Sequence, residues 1–252
     1  MKQIPYGLLK ALGALALIGA ATSSAFANSV TLDTNAYSDV YGGGEFTALG
    51  SGLSTASYSS AALLGGGFET FCMSFHEEFV PGNWGNPTPY NFTLGNAIID
   101  PSFNPVNNPL TIGTAYLYSQ FASGDLAGYD YSNSTAAGRL GSATELQLAF
   151  WWLQNEGSEG APGASNYDPT NPFEAMVYNL FNGATGGEMN AANGADGVQV
   201  MVLTTSNGGY AQPQLYYSVP DAETTGVLVL ASLIALGACA YGFRNVRVRA
   251  SE

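Results

Sequence analysis

Residues 68–75 read FETFCMSF. Phe71, Met73 and Phe75 alternate with Thr70, Cys72 and Ser74, the period of two that a strand shows. The spacing predicts a strand over 68–79 with three large apolar side chains on one face and Cys72 on the other. Working outward, SVTLDT at 29–34 alternates weakly and predicts an opening strand. YGGGEF at 41–46 leads into a stretch, 42–67, that is rich in Gly, Ser and Ala, so loops and short strands are expected there. Residues 81–109 are dense in Pro, Asn and Gly and read mostly as loop. Three helices follow. The first spans 112–123, with Gly124 as its stop. The second opens at Ser142, where Ser142 and Glu145 form a capping box, and runs through LQLAFWWLQNE to just before Gly157. The third has Asn171 as cap, Pro172 in the first turn and Glu174 at the box position; Phe173, Met176, Val177, Leu180 and Phe181 form its apolar stripe, and Gly183 ends it. Residues 198–204 and 214–218 read as closing strands, paired with each other. The order strands, helices, strands predicts an α+β body: an antiparallel sheet, or a barrel or sandwich, carrying three inserted helices.

The ends have a different character. Residues 1–27 carry Lys2 and Lys10, then ALGALALIGAA, then Ala25-Phe26-Ala27 with small residues at the −3 and −1 positions. That pattern describes a signal peptide. Near the other end, residues 226–243 are nearly all apolar, and a run of about 18 residues just spans a bilayer as a helix. Arg244, Arg247 and Arg249 follow it, and Asp221 and Glu223 precede it, which orients the tail inward and the body outward. The chain therefore divides into a signal at 1–27, an extracytoplasmic body at 28–218 and a C-terminal segment at 219–252.

Charge narrows the function of the body. Of six basic residues, five lie in the two ends, and Arg139 is the one cation between them. The body has no lysine, while the whole chain carries 19 acidic residues and a net charge of −13. A surface of that sign repels phosphate, so nucleic acid is excluded as a partner. Anionic lipid and anionic polysaccharide are poor electrostatic partners too.

Enzyme chemistries also drop out. His76 is the single histidine. HEEFV lacks the second histidine of a zinc H-E-x-x-H site, and one Cys with one His cannot close a structural zinc site. On a strand, Cys72 and His76 are about 13 Å apart, too far for a nucleophile and its base. There is no G-x-S-x-G elbow and no phosphate loop. The chain reads as a non-enzyme that needs no metal or cofactor.

Cys72 is the single cysteine of the body, since the other, Cys239, lies in the apolar tail. Such a thiol can be inert and buried, join an intermolecular disulfide, act as a nucleophile, or form an internal acyl bond. The last needs a glutamine. ATELQLAFWWLQNE supplies Gln147, with Phe150 and Trp151 three and four residues later on the same helix face. Gln154, two turns along, is the fallback.

Two resemblances follow from these residues. Val219-Pro220-Asp221, the apolar run 226–243 and the arginines 244, 247 and 249 resemble the tripartite tail of the PEP-CTERM family, in its Val-Pro-Asp variant. That resemblance implies recognition by an exosortase-type membrane protease, transient anchoring in the inner membrane, and delivery of the body to the cell surface or extracellular matrix. Phe71-Cys72 followed by Gln147, Ala149, Phe150 and Trp151 resembles the two motifs of bacterial surface thioester domains, over roughly 65–205. It implies a spontaneous bond between Cys72 and Gln147 that awaits an amine- or hydroxyl-bearing surface ligand. Phe71, Phe150, Trp151 and Trp152 are the aromatics suited to keep water away. A body without lysine could not acylate itself through that side chain.

Two readings of the body stay open. One is an adhesin-like module that attaches covalently. The other is a non-reactive matrix component, whose Tyr116, Tyr118, Tyr129 and Tyr131 would stack on sugars.

Overall fold

The computed structural model describes residues 28–40, 43–75, 77–82, 89–101, 107–132, 136–156 and 166–218. The expected signal peptide at 1–27, Val219, Pro220, Asp221, the apolar run 226–243, Arg244, Arg247, Arg249 and His76 lie outside the described residues. Among the described residues no helix is long and apolar enough to cross a membrane.

The body is α+β, built on an antiparallel sheet. Its strands are β1 (Ser29–Val40), β2 (Gly43–Ser51), β3 (Leu63–Leu64), β4 (Gly67–Thr70), β5 (Tyr90–Gly95), β8 (Val198–Thr204) and β9 (Tyr210–Tyr217), in the order β3-β4-β2-β1-β5-β8-β9. A separate ribbon pairs β6 (Ala97–Ile99) with β7 (Asn107–Pro109). Three helices are inserted between β7 and β8: α1 (Ile112–Ser123), α2 (Ala136–Leu153) and α3 (Pro172–Leu180).

Among the described residues the second sheet has two strands. The barrel is corrected: the seven-stranded sheet does not close. Its β9 edge reaches the chain beyond β4 through one antiparallel bridge, Cys72 with Gln214. Met73 N–H donates to Pro213 O at 2.9 Å, and Leu215 N–H to Phe71 O at 3.3 Å. Pro213 has no N–H to return, which stops the ladder there and suits an edge strand.

That bridge also shortens the predicted strand over 68–79. Regular pairing ends at Thr70, and the alternation of faces holds only as far as Ser74: Phe71 and Met73 enter the main core, whereas Phe75 packs on the side of Cys72. The glycine-rich stretch after residue 42, expected as loop and short strands, forms the nine-residue β2. β1 is likewise longer than 29–34, and β5 to β7 emerge from the stretch read as loop. In each case cross-strand pairing overrides the composition of the segment.

The first helix has the predicted bounds. Gly124 ends it at φ +81°, a left-handed conformation that glycine adopts without steric strain. The second begins six residues before the expected cap. Ser142 is already inside α2, and its hydroxyl instead accepts the N–H of Asp130 at 3.1 Å. Asn171 caps α3, accepting from the N–H groups of Phe173 and Glu174. That helix stops at Leu180, whose side chain is exposed, before Gly183.

α2 packs across β1 and β2, and α1 against β8, β9 and the other two helices. Two apolar clusters result. The larger takes Leu146, Ala149, Phe150 and Leu153 of α2 together with the inner residues of the sheet and α1. The smaller joins Phe46, Cys72 and Trp151, with Phe75, Phe79 and Leu148 against it.

Candidate functional site

Cys72 and Gln147 meet in the smaller cluster, both fully buried. The Gln147 carboxamide lies along the backbone of Cys72. Its Nε2 donates to Cys72 O at 2.7 Å, and its Oε1 accepts from Cys72 N–H at 3.2 Å. A second donor reaches the same oxygen: Gly44 N–H, at 3.0 Å. Two backbone N–H groups therefore converge on one side-chain carbonyl oxygen, the arrangement that stabilises an oxyanion.

A fault in the sheet puts Gly44 there. β1 advances from Thr34 to Ser38 while β2 advances only from Phe46 to Gly44, so the ladder bulges at this point. Gly44 has φ +101°, a conformation open to glycine at little strain. Gly43 is held close for a different reason. A Cβ on it would lie 2.7 Å from Trp151 Cη2 and 2.8 Å from Gln147 Cγ. These two glycines were not singled out by sequence reasoning, although glycines inside a strand signal a bulge or a close approach.

The thiol faces β9. Cys72 Sγ donates to Gln212 Oε1 at 2.9 Å and accepts from Gln214 Nε2 at 3.4 Å. Gln212 is held in turn by Ser74 O, to which its Nε2 donates at 2.7 Å. Burial pushes the thiol up to about 12, against a smaller opposing effect of the Gln214 hydrogen bond. Cys72 is thus neutral at ordinary pH. Gln212 and Gln214 were also missed; their signal was a pair of amides two residues apart in a closing strand, on a face where apolar residues are the rule.

Of the four aromatics expected around the bond, Trp151 packs with Cys72, with Phe75 edge-on at 5.2 Å. Phe71, Phe150 and Trp152 lie in the main core. Phe71 follows the strand alternation away from Cys72, and its ring meets Phe150 at 5.3 Å. Phe46, Phe75 and Phe79 take their places. Gln154 is not near the sulfur: its amide lies 3.2 Å from Thr111 Oγ1 and 3.0 Å from Thr114 Oγ1, at the start of α1.

Among the sugar-stacking candidates, Tyr118 and Tyr129 are buried and their hydroxyls are engaged, Tyr118 donating to Glu69 O and Tyr129 to Glu45 Oε1. Tyr116 and Tyr131 are half-buried against Phe181 and Phe121. Among the described residues no group of three or more acidic, cysteine or histidine side chains is placed to hold a metal ion.

Comparison with protein-family models, with curated proteins and with solved structures gives no match.

Proposed function

We propose that Cys72 and Gln147 form an internal thioester, and that the body is an exported surface module which attaches covalently through it to an amine- or hydroxyl-bearing group on a partner. The observation that carries this reading is the pair of N–H groups, from Gly44 and Cys72, on Gln147 Oε1. In bond formation Sγ adds to the Gln147 carbonyl carbon, and the negative charge that builds on Oε1 falls between these donors. The carbon–nitrogen bond then breaks, the thiol proton passes to the departing nitrogen, and ammonia leaves. A neutral thiol suits this, because its proton is the one the nitrogen needs. Trp151, Phe46 and Phe75 exclude the water that would hydrolyse the product.

The segment at 1–27 supplies export, and the tail at 219–252 supplies the address: transient inner-membrane anchoring, processing by an exosortase-type protease, and display at the cell surface or in the extracellular matrix. A second reading, a non-reactive matrix component with an inert core cysteine, is favoured by the complete burial of the thiol. Intact mass separates them. The full chain is compared with its own Cys72→Ser variant, so that any trimming of the ends cancels. The thioester reading expects the wild type to be lighter by one ammonia beyond the sulfur-for-oxygen difference, and to gain methylamine at Gln147. A wild type that differs from the variant by sulfur for oxygen alone and takes up no methylamine establishes the second reading.

A further inference from the structure

We infer that Gln214 and Gln212 form a carboxamide clamp on the Cys72 sulfur, in which Gln214 stabilises charge on the thiolate and Gln212 aims the thiol. The inference rests on the thioester reading and names the residues that would govern its making and breaking. The backbone explains why both amides reach one atom. Cys72 and Gln214 are bridge partners, so their side chains stand side by side on one face. Gln212, two residues earlier, stands on that face as well. The residues flanking the pair, Ala211 and Leu215, turn into the main core instead.

The two amides present opposite ends to the sulfur. Gln212 offers its oxygen, and its own Nε2 is fixed on Ser74 O, so this orientation is locked. A carboxamide oxygen is too weak a base to take the proton; it fixes the S–H direction and leaves a sulfur lone pair for the Gln147 carbon. Gln214 offers Nε2–H, and its Oε1 is buried with no hydrogen-bond partner among the described residues. An unpartnered buried carbonyl is unfavourable, and a protein without use for the amide would place an apolar side chain there. The amide is useful at the two moments when sulfur bears negative charge: as its proton departs during bond formation, and when it is expelled as the thiolate by an amine. In the second step the amine nitrogen bonds to the acyl carbon, the carbon–sulfur bond breaks, and the surplus amine proton goes to the thiolate. A hydrogen bond to a charged group that forms in both steps should speed both. Gln147 is the better-placed acyl donor, because two N–H groups meet on its oxygen, whereas among the described residues the oxygen of Gln212 receives the thiol and that of Gln214 has no donor.

The test uses the full chain carrying Cys239→Ser, so that Cys72 gives the one S–H stretching band in the infrared. In the Gln147→Ala background, where the proposed acyl donor is gone, adding Gln212→Leu should move that band to higher frequency as the S–H···O bond is lost. With Gln147 present, Gln214→Met should slow ammonia loss and methylamine opening alike, each by about tenfold. Gln214→Glu, of the same shape and without a hydrogen to donate once its carboxyl is ionised, checks that packing is not the cause and should be slow as well when assayed at a pH above its titration. An unmoved band together with unchanged rates overturns the clamp. Ammonia loss that persists in Gln147→Ala also overturns it, since the acyl donor would then be Gln212 or Gln214. Failure of the wild type to lose ammonia overturns the thioester, and with it the rate role of Gln214; the S–H band still reports separately whether Gln212 holds the thiol.

Discussion

Arg139 donates to both carboxylate oxygens of Glu45, at 3.1 and 3.0 Å, where both side chains are buried between α2 and β2. Glu45 directly follows Gly44, and Arg139 lies two turns before Gln147 on α2. The same helix and the same strand are thus tied at two points, by an ion pair and by the Gly44–Gln147 hydrogen bond. The guanidinium also donates to Tyr131 O and Ala61 O and stands 4.8 Å over the Tyr37 ring. The one cation of the body is spent inside it, not on the surface.

Removing the cation leaves Glu45 buried without its partner. Arg139→Met should cost about 3–5 kcal/mol in chemical denaturation. Adding Glu45→Gln to it should recover a large part, since the stranded charge is then gone. A single variant as stable as the wild type would show that the pair is not what anchors α2.

Acid should stabilise this protein. Burial raises Glu69 to about 8, with the neighbouring charge of Glu45 adding to the effect, and burial raises Glu156 and Glu174 to about 7 each, from an ordinary 4.5. Each folded-state value lies above the unfolded one, so the folded chain keeps protons that the unfolded chain releases. That contribution is complete below pH 4.5 and is lost as pH rises through 7 to 8. The Tm at pH 5 should exceed that at pH 8 by about 5 °C or more. A Tm that falls on acidification would contradict these protonation states.

Gly43→Ala should damage the site more than the fold. The added methyl meets Trp151 and Gln147, and relieving that overlap costs about 1–3 kcal/mol. The side chains that must move include the proposed acyl donor. The ammonia-loss mass shift should therefore be reduced or absent while far-ultraviolet circular dichroism remains that of the wild type.

Trp151→Leu should open the site to water. The indole fills the cluster around Cys72, and its Nε1 is buried without a hydrogen-bond partner among the described residues, so its place there is one of volume. The variant should lose about 2 kcal/mol of stability. The proposed thioester should hydrolyse faster in it, followed as gain of one water in mass with time. Phe150→Leu, altered in the main core, should lose stability without that acceleration.

Local signals carried part of this architecture. The periodicity of 112–123 with its glycine stop, and the Asn171-Pro172 start, give helices because capping and stripe are set within a few residues. Ser142 and Glu145 carried the same local signal and did not make a helix start. Helical hydrogen bonding runs through them from Ala136, and Arg139, in the added turns, reaches Glu45.

Sequence by itself determined the three helices in order, a sheet assembled from both ends of the body, the single cation, and the residue types of Cys72 and Gln147. Tertiary structure alone decided that these two are in contact. It also decided that Gly44 supplies the second donor, that Gln212 and Gln214 flank the sulfur, and that Phe71 and Phe150 turn away from it. The reason is one of range. A cap or a stripe is fixed by neighbours along the chain, whereas a bulge in β1 opposite Gly44, an incomplete closure at β9 and a helix laid across them meet at one sulfur only after long-range pairing has set the register.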